Sequence, residues 1–281
     1  MNIIKCRVSQ LTLPLLAIAL MSGLPTSSSS AAEATENLAF PEKFMIRLSS
    51  YSVNQASTDI TVLSSAGVGT ILSFDQDLGG EDSTTIPRLD AYYRFNERHR
   101  IDFSSFRIDR DGLKTVSGTD IIIGDETFTF SETIKSEIKY SLLKLAYAYS
   151  FYHSPSVELS LTAGLNITEF DFNFSQDDGT NASTNGVSAP LPMFGLRMGY
   201  AINSNWSVHY ITESFIIDID NTFKGTLLNY ELDIEYKFDN KIAIGAGLIR
   251  SSIDLEVKDS DWTGSIVDSY RGVLLYGAYY F

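Results

Sequence analysis

Between Val157 and Ile167 the chain alternates strictly. Val157, Leu159, Leu161, Ala163, Leu165 and Ile167 are apolar, and Glu158, Ser160, Thr162, Gly164 and Asn166 stand between them. Leu228, Tyr230, Leu232, Ile234, Tyr236 and Phe238 alternate in the same way with Asn229, Glu231, Asp233, Glu235 and Lys237. Successive side chains of a strand point to opposite faces, so each run predicts a strand with one apolar and one polar face. A soluble antiparallel sheet shows the same alternation, but usually over five or six residues. These runs reach 11 residues and more, the length of about 9–11 residues that a tilted strand needs to cross a bilayer core.

The pattern predicts ten strands, at 43–53, 84–95, 100–110, 136–152, 157–174, 191–202, 206–219, 226–238, 242–257 and 265–281. Short connections at 96–99, 153–156, 203–205 and 239–241 alternate with longer ones at 54–83, 111–135, 175–190, 220–225 and 258–264. Short turns on one side and longer polar loops on the other predict an all-β, transmembrane, antiparallel up-and-down β-barrel, with the short turns in the periplasm. Ten strands is the central reading, within a range of 8–12, and an even count puts both ends of the barrel on the periplasmic side. The strand-like pieces 70–78 and 119–130 are expected either as hairpins above the membrane or as an added strand pair.

Aromatic placement agrees with this topology. Phe95, Phe151, Tyr200, Trp206, Phe238, Tyr279 and Phe281 fall next to the short turns or at the C-terminus, where an interfacial girdle is expected. Phe170, Phe172, Phe174 and Phe215 lie near the outer ends and are expected to form a second girdle. Pro87, Pro190 and Pro192 are expected at strand starts and Pro155 in a turn, where a missing N–H does least harm.

The first residues read as an export signal. Lys5 and Arg7 precede an apolar run from Leu11 to Leu24, and a Ser/Ala stretch follows from Ser27 to Ala34. The apolar run is shorter than the roughly 20 residues of a spanning helix. The predicted organisation is a signal peptide over 1–32, cleaved between 31 and 34, a periplasmic lead over 33–42 and the barrel over 43–281. Cys6, the one cysteine of 281 residues, belongs to the signal, which leaves no disulfide framework. A chain starting at Glu33 carries 19 basic and 35 acidic residues, and this acidic balance argues against nucleic acid as a partner.

The last strand, from Tyr270 to Phe281, alternates through Val273, Leu275, Gly277 and Tyr279 to a terminal Phe281. It resembles the C-terminal signature of bacterial outer-membrane barrels, although Tyr276 stands where the usual glycine falls. Most of the chain resembles small barrels of the outer-membrane protein A and W type. The resemblance implies an outer-membrane location. It also implies that periplasmic chaperones and the barrel-assembly machinery read Val273, Leu275, Gly277, Tyr279 and Phe281 as an assembly signal.

With the apolar face toward lipid, the inward positions are charged. A lumenal ionic network is expected from Arg47, Arg88, Asp90, Arg94, Asp102, Lys144, Arg197, His209, Glu213, Glu231, Asp233 and Glu235, with Glu158 and Lys237 beside them. A ten-stranded barrel is only slightly wider than the eight-stranded size that side chains fill, so a plugged lumen is expected before a channel. Pairing Phe95 with Ile101 would put Arg94 opposite Asp102, and Arg197 would come within diagonal reach of Glu213. Gly245 and Gly247 would face Glu235 and Asp233.

The chemistry on the chain favours a non-enzymatic reading. His99 and His153 fall in periplasmic turns, and His209 near the periplasmic end, where it is expected as a satisfied interior residue beside Glu213 or Arg197. Asp75 and Asp77 open a run somewhat like an EF-hand loop, but Gly79 and Ile86 occupy ligand positions, so no metal site and no cofactor is expected. The reading is a monomeric, structural or surface-exposed envelope barrel in contact with outer-membrane lipids and lipopolysaccharide. A narrow porin-like channel and a surface enzyme or adhesin acting through the outer loops are the alternatives. Acidic residues such as Asp109 and Asp111 in those loops would meet anionic lipopolysaccharide through bridging divalent cations.

Overall fold

A computed structural model describes residues 38–281 except 65, 66, 68, 82, 117–119, 124, 130–131, 177–182, 220–222, 240 and 259–262. The expected signal peptide and residues 33–37 of the expected lead lie outside the described residues. Among the described residues there are thirteen strands: β1 (Phe44–Val62), β2 (Ile71–Ser73), β3 (Thr84–Arg94), β4 (His99–Thr115), β5 (Ile121–Ile123), β6 (Glu126–Phe128), β7 (Thr133–His153), β8 (Val157–Gln176), β9 (Ser183–Ala201), β10 (Trp206–Ile219), β11 (Phe223–Lys237), β12 (Ile242–Lys258) and β13 (Thr263–Tyr280).

Ten of them form a ring. Neighbours pair antiparallel in the order β13, β12, β11, β10, β9, β8, β7, β4, β3, β1, and β1 closes the ring on β13. Closure leaves no free sheet edge at the level of the short turns. The two strand-like pieces do not enlarge the ring. β2 pairs with β1 at Asp59–Thr61, and Gly80 bridges to Gly112 of β4, so residues 71–80 fill the wall above the end of β3. β5 and β6 form a separate small hairpin.

The strands are longer than the alternation suggests. β1 runs nine residues past the expected end, because a bulge between Val53 and Gln55 shifts the period-two phase. Arg47, Ser49, Tyr51 and Val53 face inward before it, and Ala56, Thr58, Ile60 and Val62 after it. β7, with 21 residues, stands roughly 50 Å tall at about 3.3 Å per residue and a tilt near 40°. An apolar belt of about 25 Å accounts for only half of that height. The side asymmetry therefore comes from strands that project beyond the membrane rather than from long loops.

At the belt edge the two faces exchange character while the parity stays fixed. Along β8 the outward residues are Val157 to Ile167 and then Glu169, Asp171 and Asn173; the inward ones are Glu158 to Thr168 and then Phe170, Phe172 and Phe174. Phe170, Phe172, Phe174 and Phe215 are therefore not an outer girdle. They are buried inside the projecting half, in one apolar core with Ile60, Phe74, Leu78, Ile134, Ile253 and Ile266. Water bathes the outside there, so an inward apolar face is what the hydrophobic effect selects. Ile123 and Phe128 of the β5–β6 hairpin complete this core.

The periplasmic girdle is present. Phe95, Phe151, Tyr200, Trp206, Phe238, Tyr279 and Phe281 are all exposed at the ends beside the short turns. The prolines differ from expectation: Pro190 and Pro192 lie within β9 and Pro87 within β3. The β9–β10 ladder stops at the pair Phe194 and Ser214, and the next outward residues of β9 are the two prolines, which have no N–H to give.

Candidate functional site

All twelve expected network residues line the membrane-level lumen. The largest cluster centres on Arg47 of β1. Its Nε donates to Asp90 Oδ2 at 3.1 Å, its Nη1 to Asp233 Oδ2 at 3.0 Å and its Nη2 to Glu231 Oε1 at 2.7 Å. Arg88 donates to Asp90 Oδ1 through Nε and Nη2 at 3.0 and 2.9 Å, and its Nη1 lies 2.9 Å from Glu231 Oε2. Two guanidinium groups and three carboxylates thus interlock across the lumen, and the Tyr276 ring lies under the Arg47 guanidinium at 4.7 Å. Glu235 Oε1 accepts from the Tyr280 hydroxyl at 2.7 Å.

Three further pairs surround that cluster. Lys144 Nζ donates to both oxygens of Glu213 at 2.9 and 3.1 Å. Arg94 grips Glu158 with two bonds of 2.9 Å. Asp102 Oδ2 accepts from Nη2 of Arg100 and from Nη2 of Arg197, both at 3.4 Å, and its Oδ1 forms an ion pair 3.0 Å from the Arg100 Nε. Burying such charges without partners would be costly, which explains why each is matched.

The sequence-level pairings hold only in part. In the β3–β4 ladder Arg94 stands opposite Arg100 and Tyr92 opposite Asp102. The expected register was therefore off, and Arg94 takes Glu158 of β8 instead. Arg197 does lie diagonal to Glu213, since it pairs with Ile211, yet the two acquire different partners across the lumen. Gly245 and Gly247 stand opposite Glu235 and Asp233, as expected. A Cβ on Gly247 would sit 1.9 Å from Asp233 Oδ1, so only glycine leaves that carboxylate its place. Arg100 was missed although it shares the parity of Asp102; its position at a strand start beside a turn hid it.

His209 faces the lumen on the same side of the sheet as Arg197 and diagonal to it, since it pairs with Gly199, as expected. Its Nε2 lies 3.1 Å from the Ser207 hydroxyl, and its ring packs on Phe40 at 4.9 Å. Phe40 and the other described residues before β1 lie at the short-turn mouth of the ring. The Ala39 N–H donates to the Ser154 carbonyl at 3.0 Å, Lys237 Nζ donates to Glu42 at 2.6 Å, and Phe40 sits where a side chain on Gly199 would be, 2.7 Å from an added Cβ. The His153 ring nitrogens lie within hydrogen-bond distance of the Glu97 and Ala39 carbonyls, which can only accept, and His99 bonds the Tyr147 hydroxyl, both at the same end.

A second polar group sits above the belt, inside the apolar core. Arg110 donates to Thr58 Oγ1 at 2.7 Å and pairs with Asp75, while Thr58 donates to Asp268 at 2.7 Å. The Arg110 guanidinium also covers the Phe74 ring at 4.8 Å. Burial pushes the Asp268 carboxyl up to about 6, against the pull of the Thr58 hydrogen bond and of Arg110. Asp75 is thus held by Arg110, and Asp77 accepts the Ser73 N–H at 2.9 Å, so both carboxylates of the EF-hand-like run hold the chain itself together.

No known protein-family model matches the chain, and no curated protein matches it in sequence. Its fold does match solved structures. The outer-membrane protease OmpT from Escherichia coli aligns with a TM-score of 0.55 at 9% identity, over 86% of this chain and 98% of that one. Ail, the attachment invasion locus protein of Yersinia pestis, aligns with a TM-score of 0.35 at 11% identity, over 84% and 99% of the two chains. OprG from Pseudomonas aeruginosa aligns with a TM-score of 0.34 at 14% identity, over 86% and 96%. The chain has the fold of bacterial outer-membrane β-barrels. The outward belt of Leu48, Leu145, Leu161, Phe194, Leu232, Leu248 and Leu275, all exposed, is the surface such a barrel turns to lipid.

Proposed function

We propose that this chain is a closed barrel of the outer membrane, with a structural and surface-displaying role. One observation carries the reading: Arg47, reaching Asp90, Glu231 and Asp233, ties β1 to β11 across the lumen. The packing above and below supports it. Phe40 stands in the periplasmic mouth, and the apolar core fills the projecting half. Cavities of about 80 and 30 Å³ lie beside the Arg47 and Lys144 pairs, each with room for a few ordered waters. In this reading the N-terminal signal directs export and the run Val273 to Phe281 guides assembly. Lipids and lipopolysaccharide surround a single copy.

Swelling of protein-loaded liposomes in small sugars tests the proposal. Vesicles carrying the folded barrel are expected to swell no faster than empty ones. Swelling that depends on solute size, as a porin gives, would contradict it.

A further inference from the structure

The apolar belt is not equally tall around the ring. On β8 the outward residues stay apolar from Val157 to Ile167, and on β9 from Tyr200 to Pro190. Each run climbs ten residues, about 25 Å at 3.3 Å per residue and a tilt near 40°. Beside them β7 carries Phe151, Tyr147, Leu145 and Leu143, all exposed. The other wall changes character much lower. Outward residues turn polar after Leu48 on β1, where Ser50 and Ser52 follow, and after Phe103 on β4, where Ser105 and Arg107 follow. Between them β3 passes from Leu89 to Pro87 and Thr85. On β12 and β13 the runs stop at Leu248 and Val273, and Arg250 and Arg271 come next. Counted from Phe44, His99, Tyr93, Ile242 and Tyr279, these runs climb only four to six residues, about 10–15 Å.

Neither tilt nor side-chain reach levels this belt. Tilting the barrel would move both edges together, but the periplasmic edge is even: Phe95, Phe151, Trp206, Phe238 and Tyr279 ring it on both walls. Long cationic side chains can stretch up toward the headgroups. Arg107 has that option, with Asp109 2.8 Å away and two residues higher on β4. Ser50, Ser52 and Ser105 are too short for it. The Ser52 and Thr85 hydroxyls share a hydrogen bond of 2.9 Å on the outer surface, a polar pair that acyl chains alone would not select.

We infer that the wall made by β12, β13, β1, β3 and β4 faces a locally thinned bilayer. Its partner is a lipid surface whose outer headgroups dip by about 10 Å to the level of Ser50 and Ser105, while the lipids beside β8 keep their full thickness. An apolar run shorter than the hydrocarbon draws the bilayer down to match it. The dip brings water to hydroxyl and guanidinium groups that would otherwise stand among acyl chains, whatever contacts those groups keep within the chain. The barrel thus meets the membrane with two unlike faces, and its short face fits short or loosely packed acyl chains. The inference rests on the outer-membrane location and not on whether the lumen is closed.

Nitroxide depth readings at two matched positions test it. Ser50 stands six residues above Phe44, and Ala163 six above Val157, both facing outward. The strands therefore put the two at one height, about 15 Å above the periplasmic edge. Cys6, the one native cysteine, lies in the expected signal, so labels on S50C and A163C stand alone. The labelled barrels are placed in dioleoyl phosphatidylcholine bilayers, and oxygen and a water-soluble nickel chelate report the depth. The S50C label is expected about 10 Å nearer the outer headgroups than the A163C label. Equal depths would overturn the inference. So would shielding of the S50C label from both reagents, or dipolar broadening between S50C labels, because either means that a second copy covers the wall. The heat-modifiable gel shift checks that both barrels are folded. Swelling of the liposomes described above would leave this result untouched, so the two failures are distinguishable.

Discussion

The Arg47 guanidinium and the Glu231 carboxylate meet at 2.7 Å, although β12 and β13 separate their strands in the ring. This contact spans the lumen rather than a ladder, so it fixes the cross-section of the barrel. Replacing Arg47 with Met would leave Asp90, Glu231 and Asp233 facing each other without their shared cation. Removing one partner of a buried ion pair costs about 3–5 kcal/mol. Guanidinium unfolding in micelles should show R47M destabilised by that order; a loss under about 1 kcal/mol would mean that the cluster holds little together.

Gly247 tests the same cluster by steric means. An added Cβ would meet Asp233 Oδ1 at 1.9 Å, so the carboxylate must move off Arg47. Overpacking of this kind costs about 1–3 kcal/mol. G247A should unfold at lower denaturant than wild type, whereas G277A should not, since nothing lies within 4 Å of a Cβ on the lipid-facing Gly277. Equal losses in the two variants would contradict the assigned facing.

The projecting half depends on its apolar interior. Phe74 has no exposed surface and sits under Arg110. Truncating a buried Phe to Ala costs about 3–5 kcal/mol. F74A should therefore lower the unfolding midpoint and expose residues 71–80 to protease in intact vesicles. Unchanged protease resistance would place Phe74 outside the core.

Asp268 gives this half a pH dependence. Its folded pKa of about 6 lies above the ordinary carboxyl value of 3.8. The folded state thus holds the proton more tightly than the unfolded one. Stability from this group is full below about pH 4 and is lost as pH rises to about 6, a fall of about 3 kcal/mol. In D268N that fall should vanish, so the variant should gain on wild type between pH 4 and pH 7. A constant difference across that range would contradict the assignment.

The ring, its strand order and its lumenal charges were legible because period-two alternation marks faces directly. Arg47, Glu231 and Asp233 could be placed inside from parity alone. Their partners could not, because Arg47 reaches β11 across the lumen and sequence pattern speaks only to neighbours along a strand. The upper half was misread for a related reason. Phe170, Phe172 and Phe174 keep the inward parity of Glu158, but within a membrane strand the pattern assigns apolar residues to the lipid face. Above the belt the solvent changes, and the same parity takes the opposite composition. At Asn54 a single bulge residue broke the alternation and hid the remainder of β1.

Current through planar bilayers tests closure most directly. With the folded, full-length mature barrel inserted at a steady voltage, the account expects a quiet baseline, because Phe40, the Arg47 cluster and the apolar core stand in series along the lumen. Reproducible discrete open steps from the wild-type protein would contradict it.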